Sequence, residues 1–535
     1  MKKRFSSFCV LICTTLSLLV PLPVHASLIE AWVRRFNEGS SDRVVGVVID
    51  KNGNVAITGI SGNWGPPNGA DQYSAKYAST NGALIWEKRF SGQENHGVGA
   101  RAIALDTDGN VAVAGALLGS EETYFDYYVA KYAAADGTLL WEKRYNGPAS
   151  YADEPQAIVF DQHGDVIVTG YSDSRTETDL NPDFYTAKYA GLDGALIWER
   201  RYDSPDHTDD RAVAVAVDSN GNVVVAGNSF VIGEGFDYYT IKYSGTDGKT
   251  LWEKRYQGSG ASMDYLKNLA IDHNDDVVVT GYSRSTDSTN FYTAKYSAPD
   301  GTLLWEARYN EGEASALAID KNGNVVVTGF AGTADFPWRP LVTEYYVTKY
   351  ASLNGAVIWA ERHFGPYGRG AKAEAVAVGD DGNVIVTGNV AGWGVYTVEY
   401  ASTNGSNSLT NGSILCEKTF ETFDKNSVSV YGPRCLALGP NGSVSVSGTA
   451  NNNSEEILTV LYKGSDVDRP VISIEMIPRL RFTGSAGCRY EIQRAATPTG
   501  PWEVIGFIVA PPGGDMEYID TSVTSGAYFY RVSSL

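Results

Sequence analysis

FDYYTIKYSGTDGKTLWEKRY, residues 236–256, reads as two β-strands joined by a tight turn at Asp247-Gly248. The Trp of this unit returns at Trp32, Trp86, Trp141, Trp198, Trp252, Trp305 and Trp359, and Cys416 stands in the next expected place. Successive positions lie 53 to 57 residues apart. So constant a period marks a repeat architecture, in which each unit buries its faces against its neighbours.

Each unit opens with an apolar strand that runs into a turn, as in RAVAVAVDSNGN at residues 211–222. The turn glycine recurs at Gly53, Gly109, Gly164, Gly221, Gly323, Gly382 and Gly442, with Asp275 in the fifth unit. Gly, Asn and Asp tolerate the left-handed backbone that such a hairpin demands. A second strand follows, such as VVVTG at 325–329, then a loop of uneven length. The third and fourth strands are the pair quoted above. Four antiparallel strands per period, without helical periodicity, predict the blades of an all-β propeller.

First hairpins occur eight times, and so does the third-strand Tyr, from Tyr77 to Tyr462. Fourth strands number eight only if the segment around Trp32 is counted, and it precedes the first hairpin. The expected fold is therefore an eight-bladed propeller whose last blade is completed by the N-terminal strand, which leaves no open sheet edge. The Trp should fill the widening gap between blades, a structural role. Glu253 and Arg255 point to the opposite face of the strand, and the third-strand Lys, Lys242 or Lys131, is placed to pair with the Glu of its unit across the hairpin.

Lys2, Lys3 and Arg4, an apolar run to Val20, and Val24-His25-Ala26 make residues 1–26 a signal peptide. Removing it moves the net charge from -20 to about -23, since it carries three cations and no acid. That surface disfavours nucleic acid and anionic membrane. No other stretch is long and apolar enough for an integral span. The mature chain is expected to be exported as a monomer, to a periplasmic, cell-surface or extracellular location. Cys416, Cys435 and Cys488 then remain, an odd and sparse set that predicts free thiols. Residues 27–464 are assigned to the propeller and 465–535 to a second module of short alternating strands, a small β-sandwich.

The shared pattern A-[IV]-A-[VIL]-D-x-x-G-N-V-x-V-x-G, then D-x-Y-x-x-K-Y, resembles the SBBP-type propeller repeat of exported bacterial proteins. Glu399 and Leu461 depart from it by replacing the Lys. LRFTGSAGCRYEIQRA with YFYRV is similar to small fibronectin type III-like modules. GTDGKTLWEKRY at 245–256 also resembles the Trp-bearing turn of quinoprotein-type propellers, a group that includes pyrroloquinoline quinone (PQQ) dehydrogenases and a non-catalytic scaffold of outer-membrane protein assembly. That resemblance implies a neighbouring cysteine pair in the dehydrogenases, and this sequence has none.

Turns of the first and third hairpins are short and nearly uniform, whereas second-to-third loops and inter-blade links vary and share the opposite face. Binding residues usually lie on such loops. The candidate ligand residues there are Trp64, Asp126, Asp183, Asp237 and Trp338. Asp153, Glu154, Asp209, Asp210 and Asp264 lie between blades. Such a ring of carboxylates can hold Ca²⁺ or can simply be solvated charges capping strand ends. The loop tryptophans suit stacking on sugars or peptide side chains. The sequence contains no nucleophile, metalloprotease or phosphate-loop motif, so no catalytic residue is assigned. The reading at this level is a non-enzymatic binding or scaffold protein with a protein or glycan partner at the cell surface, with no cofactor beyond Ca²⁺. The alternative is a secreted propeller enzyme, either polysaccharide-active or a quinoprotein-like oxidoreductase.

Overall fold

A computed structural model describes residues 29–463, apart from 38–41, 63–69, 92–96, 119–123, 175–180, 259–262, 285–287, 333–342, 391–393, 403–413, 422–432 and 452–454, together with short strands within 479–534. Residues 26–465 form one compact unit. The signal peptide, Trp64, Trp338 and the insertion at 404–412 lie outside the described residues.

Eight four-stranded antiparallel sheets follow one another. Seven are built from consecutive strands: blade 1 spans residues 43–90, blade 2 98–145, blade 3 153–202, blade 4 210–256, blade 5 263–309, blade 6 313–363 and blade 7 371–421. Blade 8 takes Pro433–Leu438, Val444–Asn451 and Glu455–Lys463, and its fourth strand is Ile29–Phe36. Trp32 lies opposite Leu461 in that pairing. The first strands of successive blades touch all the way round, and the first strand of blade 8 meets that of blade 1. The ring is closed through its innermost strands.

What joins the blades explains the repeated residues. Each rim Trp is 5–7 % exposed, and for Trp32, Trp86, Trp141, Trp198, Trp252 and Trp305 the C–D turn (between third and fourth strands) of the next blade lies on the ring. A Cβ on Gly248 would stand 2.9 Å from the Trp198 ring, where φ is +67°, so only glycine fits. The Trp198 indole N–H donates to the Gly245 carbonyl at 3.1 Å, and Lys188 Nζ donates to the same oxygen at 2.9 Å. Trp252 and Lys242 share the Ala298 carbonyl in the same way.

The expected Lys–Glu pairing is corrected here. Lys242 sits opposite Trp252, and Glu253 opposite Ile241, so alternation places Lys and Glu on different faces of the blade. Lys242 is buried and pairs with Asp218 of the A–B turn (between first and second strands) at 2.8 Å. Lys76–Asp50, Lys131–Asp106, Lys188–Asp161, Lys295–Asp272 and Lys349–Asp320 repeat it at 2.6–3.0 Å. The Glu accepts instead from the third-strand Tyr, as Glu199 does from Tyr185 at 2.6 Å. These turn aspartates are occupied by Lys, Asn and backbone N–H groups, which explains their recurrence without calcium.

Cys435 is buried and Cys416 half-buried, and neither is in a disulfide; Cys488 lies outside the described residues. Beyond residue 465, Arg479–Thr483 pairs with Asp515–Ile519, and Arg489–Ala495 is central to a second sheet with Glu503–Val509 and Phe529–Ser534. Among the described residues no helix is long and apolar enough to cross a membrane.

Candidate functional site

The variable face carries its charge in the seams between blades. Asp126 and Asp183 are the second residues, and Asp237 the third, of the third strands of blades 2, 3 and 4. Each interacts across the seam with an aspartate of the next blade's first strand: Asp153, Asp210 and Asp264 respectively. The seam aspartates are not solvated strand caps. Asp153, Asp183, Asp210, Asp237 and Asp264 are 0–1 % exposed, because the neighbouring blade covers them.

Each seam is built alike. The N–H of Gly147, Ser204 or Gly258 donates to Oδ2 of Asp153, Asp210 or Asp264 at 2.5–2.6 Å. Arg201 donates to Asp183 at 2.9 Å, to the Ser172 hydroxyl at 2.8 Å and to Tyr145 at 3.1 Å; Arg255 repeats this with Asp237, Ser229 and Tyr202. Oδ1 of Asp126, Asp153, Asp183, Asp210 and Asp237 is buried without a hydrogen-bond partner. Burial raises the carboxyls of Asp126, Asp183 and Asp237 above the usual range and pushes Asp153 and Asp210 up to about 6.

The candidate carboxylates Asp126, Asp183 and Asp237 therefore share one role in three successive seams and do not converge over the axis. Sequence reasoning missed Asp203. Blade 3 ends in Tyr202-Asp203-Ser204, where blade 2 has Tyr145-Asn146-Gly147 and blade 4 has Tyr256-Gln257-Gly258. That comparison was the available signal. One oxygen each of Asp183, Asp203 and Asp210 lies within 4.8 Å of the other two.

Closer to the axis, every first strand shifts register near its variable-face end, between Val44 and Gly46, for example, and between Ala212 and Ala214. Bulges of this kind re-aim side chains and gather near functional sites. Beside them stand cations against aromatic faces: Arg211 is 4.9 Å from the Tyr171 ring, Lys267 5.4 Å from Tyr282 and Lys372 4.1 Å from Phe330. Arg101 pairs with Glu154, and Arg284 with Glu313 at 2.8 Å.

A family model of the PQQ type, described as outer membrane protein assembly factor BamB, matches residues 46–289 and again 187–429. The chain belongs to this BamB-like, PQQ-type repeat family. No curated protein matches it significantly. Among solved structures it is similar to the quinohemoprotein alcohol dehydrogenase of Comamonas testosteroni, at 11% identity over 82% of this chain and 78% of that one, with a TM-score of 0.49. It is similar too to a europium-containing methanol dehydrogenase, at 11% identity over 81% and 93%, TM-score 0.42. Chaetomium thermophilum Sqt1, bound to the N-terminus of the ribosomal protein L10, is a third, at 12% identity over 80% and 99%, TM-score 0.48. The likenesses to solved structures are ones of propeller fold.

Membership of the PQQ-type family corrects two expectations. The preference for a non-enzymatic binding scaffold gives way, because the repeats over residues 46–429 are of PQQ type, which favours the oxidoreductase-like alternative. The expectation of no cofactor beyond Ca²⁺ gives way with it, since the matched repeats are of PQQ type.

Proposed function

We propose that this BamB-like chain is a quinoprotein-like oxidoreductase, exported by its N-terminal segment and working through the variable face of the propeller. The observation that carries the reading is the run of PQQ-type repeats over residues 46–429. The inner rim suits the cofactor chemically. PQQ is a planar polyanion, and Arg211, Lys267 and Lys372 offer charge to its carboxylates while Tyr171, Tyr282 and Phe330 offer flat faces. When bound, such a quinone supplies a two-electron acceptor for the oxidation of an alcohol. The chain's own part would be to bind and orient: Arg211, Lys267 and Lys372 would hold the cofactor's carboxylates, and the aromatic side chains beside them would flank it. The cysteine pair of the dehydrogenases has no counterpart, as no two cysteines adjoin, and nothing in the reading depends on one. Residues 465–535 are proposed to be a fibronectin type III-like module, and the propeller units to be SBBP-type repeats.

Purified protein incubated with PQQ and a divalent cation should retain the quinone absorbance through gel filtration and reduce a dye with a primary alcohol or sugar. Arg211→Ala should weaken retention by about tenfold, the loss of one charge-assisted bond at roughly 1.4 kcal/mol. Passage of all quinone to the small-molecule fraction, with no dye reduction across an alcohol panel, would overturn the proposal.

A further inference from the structure

The seam between blades 3 and 4 differs from its neighbours in one respect, and that difference is chemical. Each of the three seams holds two aspartates, all buried except the half-buried Asp126, but among the described residues only this one adds a third carboxylate, Asp203, where the others have Asn146 and Gln257. The Oδ2 atoms are all committed: Asp183 to Arg201 at 2.9 Å, Asp210 to the Ser204 N–H at 2.6 Å, and Asp203 to His207 Nδ1 at 2.6 Å. Oδ1 of each is buried with no hydrogen-bond partner. Asp183 and Asp210 are 1 % and 0 % exposed, so water does not satisfy those atoms freely.

We propose that this seam binds one hard multivalent cation through Asp183, Asp203 and Asp210. The carboxylates of Asp183, Asp203 and Asp210 outnumber the one guanidinium bonded to Asp183, that of Arg201, and a divalent ion offsets the excess negative charge. The open donors are all oxygens, because the facing ring nitrogen of His207 is already bound to Asp203. An oxygen-only set selects a hard ion over zinc or copper. The ion ties the third strand of blade 3 to the first strand of blade 4 and to the link between them. Its position is a blade seam, so it stands or falls independently of any quinone at the axis.

The test uses the full mature chain stripped with chelator. Calorimetric titration with Ca²⁺ should show one site, and Tb³⁺ should occupy the same site with aromatic-sensitised emission that Ca²⁺ quenches by displacement. Asp203→Asn, which copies the blade 2 sequence at this point, should lower affinity at least about tenfold, since ligand charge sets the affinity of such sites. Asn146→Asp should add a second site in the neighbouring seam with Asp126 and Asp153. No binding at millimolar Ca²⁺, or binding that Asp203→Asn leaves unchanged, would overturn the assignment.

Discussion

Lys242→Leu is expected to destabilise the propeller by about 3–5 kcal/mol, the usual cost of leaving one member of a buried ion pair alone. Asp218 is 3 % exposed and 2.8 Å from the ammonium, and the Ala298 carbonyl of the next blade loses its Lys donor as well. The double variant Lys242→Leu with Asp218→Gly should lose much less, under about 2 kcal/mol, because replacing both charges removes the uncompensated one. The chain contains this experiment already. Blade 8 has Leu461 in place of the Lys and Gly439 in place of the Asp; blade 7 has Glu399 with Gly379. In both units the two partners are absent together. Urea unfolding followed by tryptophan fluorescence measures the cycle, and equal losses in the single and double variants would refute it.

The blades, their number and the closing strand were legible because their cause is local and repeated. A Trp every 53 to 57 residues and a Gly or Asp at every hairpin are demands of backbone conformation and rim packing. The partner of Lys242 was not legible. It depends on a register break between Lys242 and Tyr243 that sends Lys to the Trp face, and on the next blade's carbonyl. Burial of Asp153 and Asp210 was hidden for a related reason: strand-end charges look solvated until a neighbouring blade covers them. One trace did remain, since Asp126 and Asp153, Asp183 and Asp210, and Asp237 and Asp264 are each 27 apart. The cation–aromatic rim left no periodic trace, because its residues differ from blade to blade. Trp64 and Trp338 were chosen for their type alone and lie outside the described residues.

Two families of buried carboxylate now predict opposite responses to pH. In Asp218 burial pulls the carboxyl upward, but Lys242 and Asn222 more than offset it, and it titrates below its ordinary value. Stability from such pairs is present above about pH 4 and is lost as the pH falls through the lowered value. Asp153 behaves the other way. Burial lifts it from 3.8 to about 6, so the folded state is favoured below about pH 4 and the advantage is lost as the pH rises toward 6. Ionised at neutral pH, it costs about 3 kcal/mol at about 1.4 kcal/mol per pH unit. Asp153→Asn should therefore raise the melting temperature at pH 7.5 and change it little at pH 4. The amide oxygen still accepts the Gly147 N–H that Oδ2 takes now. Asp210 carries the same elevation, yet in chelator-free buffer with Ca²⁺ the seam ion neutralises it, and Asp210→Asn should stabilise only after chelation. Scanning calorimetry on both variants at the two pH values, with and without chelator, separates the effects. A melting temperature for Asp153→Asn that falls at pH 7.5 would mean that the buried carboxylate is compensated by a partner, and that the seams are not strained by their own charge.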